Sequence, residues 1–214
     1  MDVAEIKKLY LEMGGKIFGK RMLRRWQAYF DAKPLERALE HTFGTLTLAD
    51  DAIKTGLSIT VKRADTGVTL LFQNHPETPY YHELKNYPLW HMIRASTAAP
   101  TYFVPEKFSM LGESAALVDG GVSMANNPAL HLFILTTLNG LPYRWPLGEN
   151  NILLVSVGTG CWRRHQQARV VLNHKLWNWA SEIPTMLMED ANWQNQLMLQ
   201  GLSRSQTPWE INGS

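Results

Sequence analysis

Apolar residues repeat along this chain in two rhythms, one helical and one strand-like, and their order outlines a fold. Behind Asp2 and Glu5, which have the separation of a capping-box variant, Ile6, Leu9, Tyr10 and Met13 fall at helical spacing until Gly14-Gly15. The chain is therefore expected to open on a helix that ends there. A second helix is predicted over residues 34–43, with Pro34 suited to a first turn and Gly44 to the end. Residues 56–63 and 68–73 are rich in Val, Ile, Thr and Leu, and Ala64-Asp65-Thr66-Gly67 between them is a turn signal, so a hairpin is predicted. Residues 88–99 read as a helix and 114–118 as a strand. A further helix is predicted over 128–139 after Asn126-Asn127, and 152–157 as a buried strand running into Gly158-Thr159-Gly160. Strands separated by helices predict a layered α/β domain with helices packed on a largely parallel sheet. Residues 140–151, with two prolines, form the expected surface loop, and no internal repeat or low-complexity tract interrupts the pattern.

Composition narrows the class. At 214 residues, 45% hydrophobic and 19% charged, the chain has material for one domain with a sizeable core. Its net charge of +2 comes from 21 basic and 19 acidic residues spread along the chain, which argues against nucleic acid as a partner. A single cysteine, Cys161, fits a reducing compartment, and the expected location is cytoplasmic, with peripheral contact at a membrane surface. The first residues carry an early acid and no long apolar core, so no secretory signal is expected there. The longest apolar stretch, residues 129–138, is broken by His131, Thr136 and Thr137 and is half the roughly 20 residues that cross a bilayer. Eight tryptophans are many for this size, and Trp162, Trp177, Trp179, Trp193 and Trp209 crowd the last quarter.

The candidate chemistry lies in Leu117-Val118-Asp119-Gly120-Gly121-Val122, where a buried strand would deliver a carboxylate to its end. Gly120 and Gly121 would allow positive φ and close backbone approach at a tight exit. Upstream, residues 93–105 (Ile93-Arg94-Ala95-Ser96-Thr97-Ala98-Ala99-Pro100 and on to Pro105) read as a small-residue helix stopped by Pro100, then an aromatic step. Together these segments resemble the patatin-like phospholipase family, whose Asp-Gly-Gly motif carries the base of a Ser-Asp dyad. The resemblance implies a three-layer α/β/α domain and a lipid acyl hydrolase acting on phospholipid or other acyl esters, with Asp119 as base and no metal or cofactor. It runs from about residue 2 to 209 and is densest over 89–160. The chemistry also needs a serine on a Gly-x-Ser-x-Gly elbow and a glycine-rich oxyanion loop. Here the two glycines four apart, Gly15 and Gly19, flank Ile17, and no triple glycine occurs. In the family the elbow precedes a helix like the first one here. The resemblance thus implies a domain truncated at its N-terminus, and also at its C-terminus, where Thr207-Pro208-Trp209 would lead onward.

In such a dyad the carboxylate accepts the serine proton directly, with no histidine between. An Asp of pKa ~3.9 is a weak base for this, and partial burial would raise it. Taken alone, an Asp before two glycines is a turn. Ser96 lacks the strained elbow of a nucleophile, and helix packing is its better reading. Residues 157–160 offer either a phosphate site or, with Lys and further glycines missing, a tight strand exit. Asn126 and Asn127 are expected to cap the next helix, and His75, His82 and His91 to be solvated or capping groups. Residues 162–198 mix Arg163, Arg164 and His165 with Trp177, Trp179, Ile183 and Met186. They suit either a lipid-facing lid or amphipathic helices packed on their own domain. Three functions stay open: part of a serine acyl hydrolase, a non-catalytic lipid-binding or protein-interaction remnant, and one half of a two-chain enzyme whose N-terminal half is a separate polypeptide.

Overall fold

The computed structural model describes residues 3–19, 28–158 and 166–203, in two compact units divided between Gly120 and Gly121. The first begins with helix α1 (Val3–Ile17) and helix α2 (Lys33–Phe43). The expected stop at Gly14-Gly15 is overrun: neither glycine takes the positive φ of a helix-ending cap, and the helix runs on to Ile17. Asp2, the expected cap, lies outside the described residues. In α2, Pro34 sits in the first turn and Leu35 and Leu39, one turn apart, face inward.

Strands β1 (Ser58–Arg63) and β2 (Val68–Gln73) form the predicted hairpin. Gly67 takes φ 73°, as its turn requires. Asp65 accepts from the Arg63 side chain and from the Ala116 amide, and its pKa falls below the usual carboxylate value chiefly through the Arg63 hydrogen bond. After the short helix α3 (Tyr81–Leu84) comes helix α4 (Leu89–Ser96), the predicted small-residue helix. Strand β3 (Glu106–Met110) has no counterpart in the sequence reading, whereas strand β4 (Glu113–Asp119) extends the predicted 114–118 by one residue at each end. Leu111 and Gly112 alone join them, at φ 53° and 75°, and Glu83 of α3 accepts the Leu111 amide.

The expected largely parallel sheet is not what forms. The order is β2-β1-β4-β3, and all three pairings are antiparallel. A parallel neighbour needs a crossover of a dozen or more residues, whereas β1–β2 and β3–β4 are joined by four and two residues, which only antiparallel hairpins tolerate. One face of this sheet buries Val61, Leu70, Phe72, Phe108, Met110, Ala115 and Leu117 with Met92 and Ala95 of α4. Trp90 and Ile93, on another side of α4, pack with Phe103, Leu35 and Leu39. Helix α4 is thus the layer between the sheet and α2.

The second unit holds helix α5 (Ala129–Thr137), the four-residue helix α6 (Ala168–Val171) and helix α7 (Leu176–Leu202), which continues through Pro184. Leu199 of α7 packs on Ala129 and Leu130, and the buried Asn195 donates to the carbonyls of Met124 and Asn127 at 2.8 and 2.9 Å. The strand expected over 152–157 is absent: these residues have no regular secondary structure, and Leu153 and Val157 are 89% and 90% exposed. Leu154 between them packs with the α5 and α7 cluster. The run has strand composition and strand alternation, but a strand also needs a neighbour to hydrogen-bond, and among the described residues no other segment pairs with it. Among those residues, no helix is long and apolar enough to cross a membrane.

Candidate active site

Ala115 and Leu117 of β4 lie in the core, and although Val118 between them and Asp119 is also buried, the side-chain period of two places Asp119 on their face, the one covered by α4. The strand ends there, leaving Asp119 half-buried. Two backbone attachments fix it. Asp119 pairs with Val61 across the sheet, and its amide donates to the carbonyl of Ala98, just past the end of α4, at 3.1 Å. The helix ends at Ser96, before the proline expected to stop it, which leaves the Ala98 carbonyl available to the strand.

Gly120 opens a 3-10 turn, Gly120–Val122. The sequence offered two reasons for a glycine here, and one of them holds. Its φ is not positive, but a Cβ would lie 2.5 Å from the Thr60 carbonyl oxygen and 2.9 Å from the Thr60 carbonyl carbon and methyl group. Close approach to a neighbouring main chain, which only a residue without Cβ permits, is therefore the requirement. The same carbonyl accepts the Ser96 hydroxyl at 2.7 Å. Ser96 thus ties the end of α4 to β1, which agrees with packing and not with a nucleophile.

Arg94 stands in the sequence only as one member of the small-residue run, yet it organises the surroundings. It is fully buried, with Nε 3.5 Å from Glu36 Oε1 of α2 and Nη2 3.6 Å from Glu106 Oε2 of β3. Nη2 also donates to the Val104 carbonyl at 3.3 Å, and the guanidinium lies 5.6 Å from the Phe103 ring centre. His91 Nε2 is 3.0 Å from Glu106 Oε1 and its ring lies against Phe108, so this histidine is paired and partly buried, not solvated. The cluster holds residues 103–106 against α4. Its one sequence signal was a charge flanked by apolar Ile93 and Ala95 on a helix whose sides are otherwise buried.

The remaining candidates separate. His75 does cap, its Nδ1 accepting the Glu77 amide, while His82 stacks edge-on with Tyr81. Asn127 Oδ1 accepts the amide of Ala129, the first residue of α5, but Asn126 reaches the Met188 carbonyl instead. Thr159-Gly160, Cys161 to His165 and Trp209 lie outside the described residues.

A family model described as patatin-like phospholipase matches residues 3–133, more than half of the chain. The chain belongs to the patatin-like phospholipase family. The match encloses Asp119-Gly120-Gly121 and the α4 block. Mouse calcium-independent phospholipase A2-gamma is 26% identical over 231 residues, which takes in 99% of this chain and 28% of that protein. The rabbit protein of the same name is 28% identical over 75% of this chain and 21% of its own length. An intracellular phospholipase A2 of Caenorhabditis elegans is 30% identical over 61% of this chain and 11% of that protein. The chain thus spans little more than a quarter, at most, of the length of these curated relatives. These relatives are named as phospholipases A2.

Proposed function

We propose that this patatin-like chain takes part in hydrolysis of phospholipid or related acyl esters, with Asp119 as the base of a Ser-Asp dyad inside a three-layer α/β/α domain. The observation that carries the reading is the anchorage of Asp119: a half-buried carboxylate at a strand end, its amide on Ala98 and its following glycine seated on Thr60, within a region matched by the family. The backbone that carries this group is fixed by main-chain partners on two neighbouring segments, as the placement of a reacting group requires.

The steps follow from a carboxylate base. Asp119 takes the hydroxyl proton as the serine oxygen attacks the ester carbonyl, and the tetrahedral adduct collapses to an acyl-enzyme. The leaving alkoxide receives the proton that Asp119 holds. Asp119 then deprotonates water, whose attack releases the fatty acid and restores the serine. The serine and the amides that stabilise the oxyanion are proposed to come from a Gly-x-Ser-x-Gly segment outside these 214 residues, on the same polypeptide or another. By itself the chain is then inactive.

The test is turnover of a soluble p-nitrophenyl ester by this chain, by a longer polypeptide carrying such a segment, and by the Asp119→Asn form of each. Activity is expected only with the elbow present, falling by about 10²–10⁴ without the base. Turnover by the 214 residues alone, or turnover insensitive to Asp119, defeats the reading. Inactivity of every folded form would favour a lipid-binding or protein-interaction remnant, for which the lack of an elbow in this sequence is the supporting observation.

A further inference from the structure

The turn between α6 and α7 sorts its side chains into two sets. Inside, His174 Nδ1 lies 3.4 Å from Glu182 Oε2, its ring meets Trp179 edge-on at 5.4 Å, and Gln166 donates to the same glutamate. Backbone and amide bonds brace the corner: Asn173 donates to the Arg169 carbonyl, the Leu172 amide to Ala168, and the Lys175 amide to Asn178 Oδ1. Outside, Leu172, Leu176 and Trp177 are 84%, 86% and 87% exposed, with Val170 beside them. A lone exposed leucine is ordinary, but four apolar side chains, one a tryptophan, projecting from a braced corner are not.

Charge identifies what they meet. Arg169 and Lys175 flank the apolar tip, and from Asn150 to Ser181 the sequence has four Arg or Lys and no Asp or Glu. The nearest acid, Glu182, is turned inward on His174. A second copy of the same corner would bring Arg169 and Lys175 against their own likeness, which opposes self-pairing. Two cations flanking a tryptophan and leucines in the chain match an anionic lipid surface, with the apolar bodies in the acyl boundary and the charges at the headgroups. We propose that the α6–α7 corner is a docking patch for anionic membrane, inserted through Leu172, Leu176 and Trp177. The proposal rests on the phospholipase reading only in making a lipid surface a sensible partner.

The experiment is sedimentation of the full chain with vesicles of phosphatidylcholine and phosphatidylserine in equal parts, against phosphatidylcholine alone. Binding is expected to favour the anionic vesicles, by about fivefold for each cation engaged. Arg169→Gln with Lys175→Gln should remove that preference. Leu176→Ser with Trp177→Ser should weaken binding to both vesicles at least about tenfold, with circular dichroism unchanged because both side chains are exposed. Brominated lipid should quench tryptophan emission in the parent chain and lose most of that effect in Trp177→Phe. Equal binding to both vesicles, binding indifferent to the paired substitutions, or no binding at all overturns the patch. A dimer that Leu176→Ser with Trp177→Ser dissolves would also overturn it, making the occupant a second copy. No readout depends on turnover, so the patch and the hydrolase reading can fail separately.

Discussion

Gly120 is the residue whose replacement says most about the site. A methyl group there meets main-chain atoms of Thr60, which cannot swing aside as a side chain could. Gly120→Ala is expected to cost about 1–3 kcal/mol by overpacking, and Gly14→Ala, in open helical surroundings, to add about 0.5–1 kcal/mol. Urea midpoints of the two variants should move in opposite directions, and equal shifts would mean that the close approach is not what selects glycine. Arg94 supplies a second asymmetry. Its Nε and Nη1 make no hydrogen bond among the described residues, so beyond the Nη2 bond to Val104 the guanidinium relies on ion pairs with Glu36 and Glu106. Arg94→Ala is expected to lose about 3–5 kcal/mol, because it empties a fully buried site and takes the cation away from Glu36 and Glu106 together. Glu36→Gln, at a side chain about a third exposed, should lose no more than about 1 kcal/mol. The same two-variant denaturant series decides it, and comparable losses would show that the fold depends on Glu36 as heavily as on the arginine.

At the scale of elements, legibility followed how local each signal is. Helices α2 and α4 and the β1–β2 hairpin were readable because Pro34, the 3.6-residue spacing and the Asp65-Thr66-Gly67 turn act within a few residues. The position of Asp119 at a strand end was readable for the same reason. Strand β3 was hidden, since its turn is Leu111-Gly112 and leucine does not announce the positive φ that it adopts. Leu111→Asn should therefore stabilise the hairpin by about 0.5–1 kcal/mol. A lower melting temperature for that variant would mean that Leu111 packs usefully despite its strain. Strand direction was also illegible, because alternation says which face is buried and nothing about which neighbour is paired. The pairing of Arg94 has no local signal, because its partners, Glu36 and Glu106, become neighbours only when α2 and β3 close on α4.

At the scale of the whole molecule, the chain spends its apolar surface unevenly. The first unit buries a double-sided core about α4 yet leaves Val3, Tyr10 and Leu11 of α1 exposed, and the second leaves Leu153, Val155, Leu172, Leu176 and Trp177 open to solvent. Family membership follows from the first unit and the start of the second, where residues 3–133 match. The Thr60 carbonyl, which receives Ser96 and crowds Gly120, has a consequence for how such a chain can vary through time. Every residue type carries that oxygen, although at Thr60 the side-chain methyl closes on Gly120 as well. Two small residues 24 positions apart in the chain meet at that one oxygen, the first through its hydroxyl and the second through the side chain it lacks.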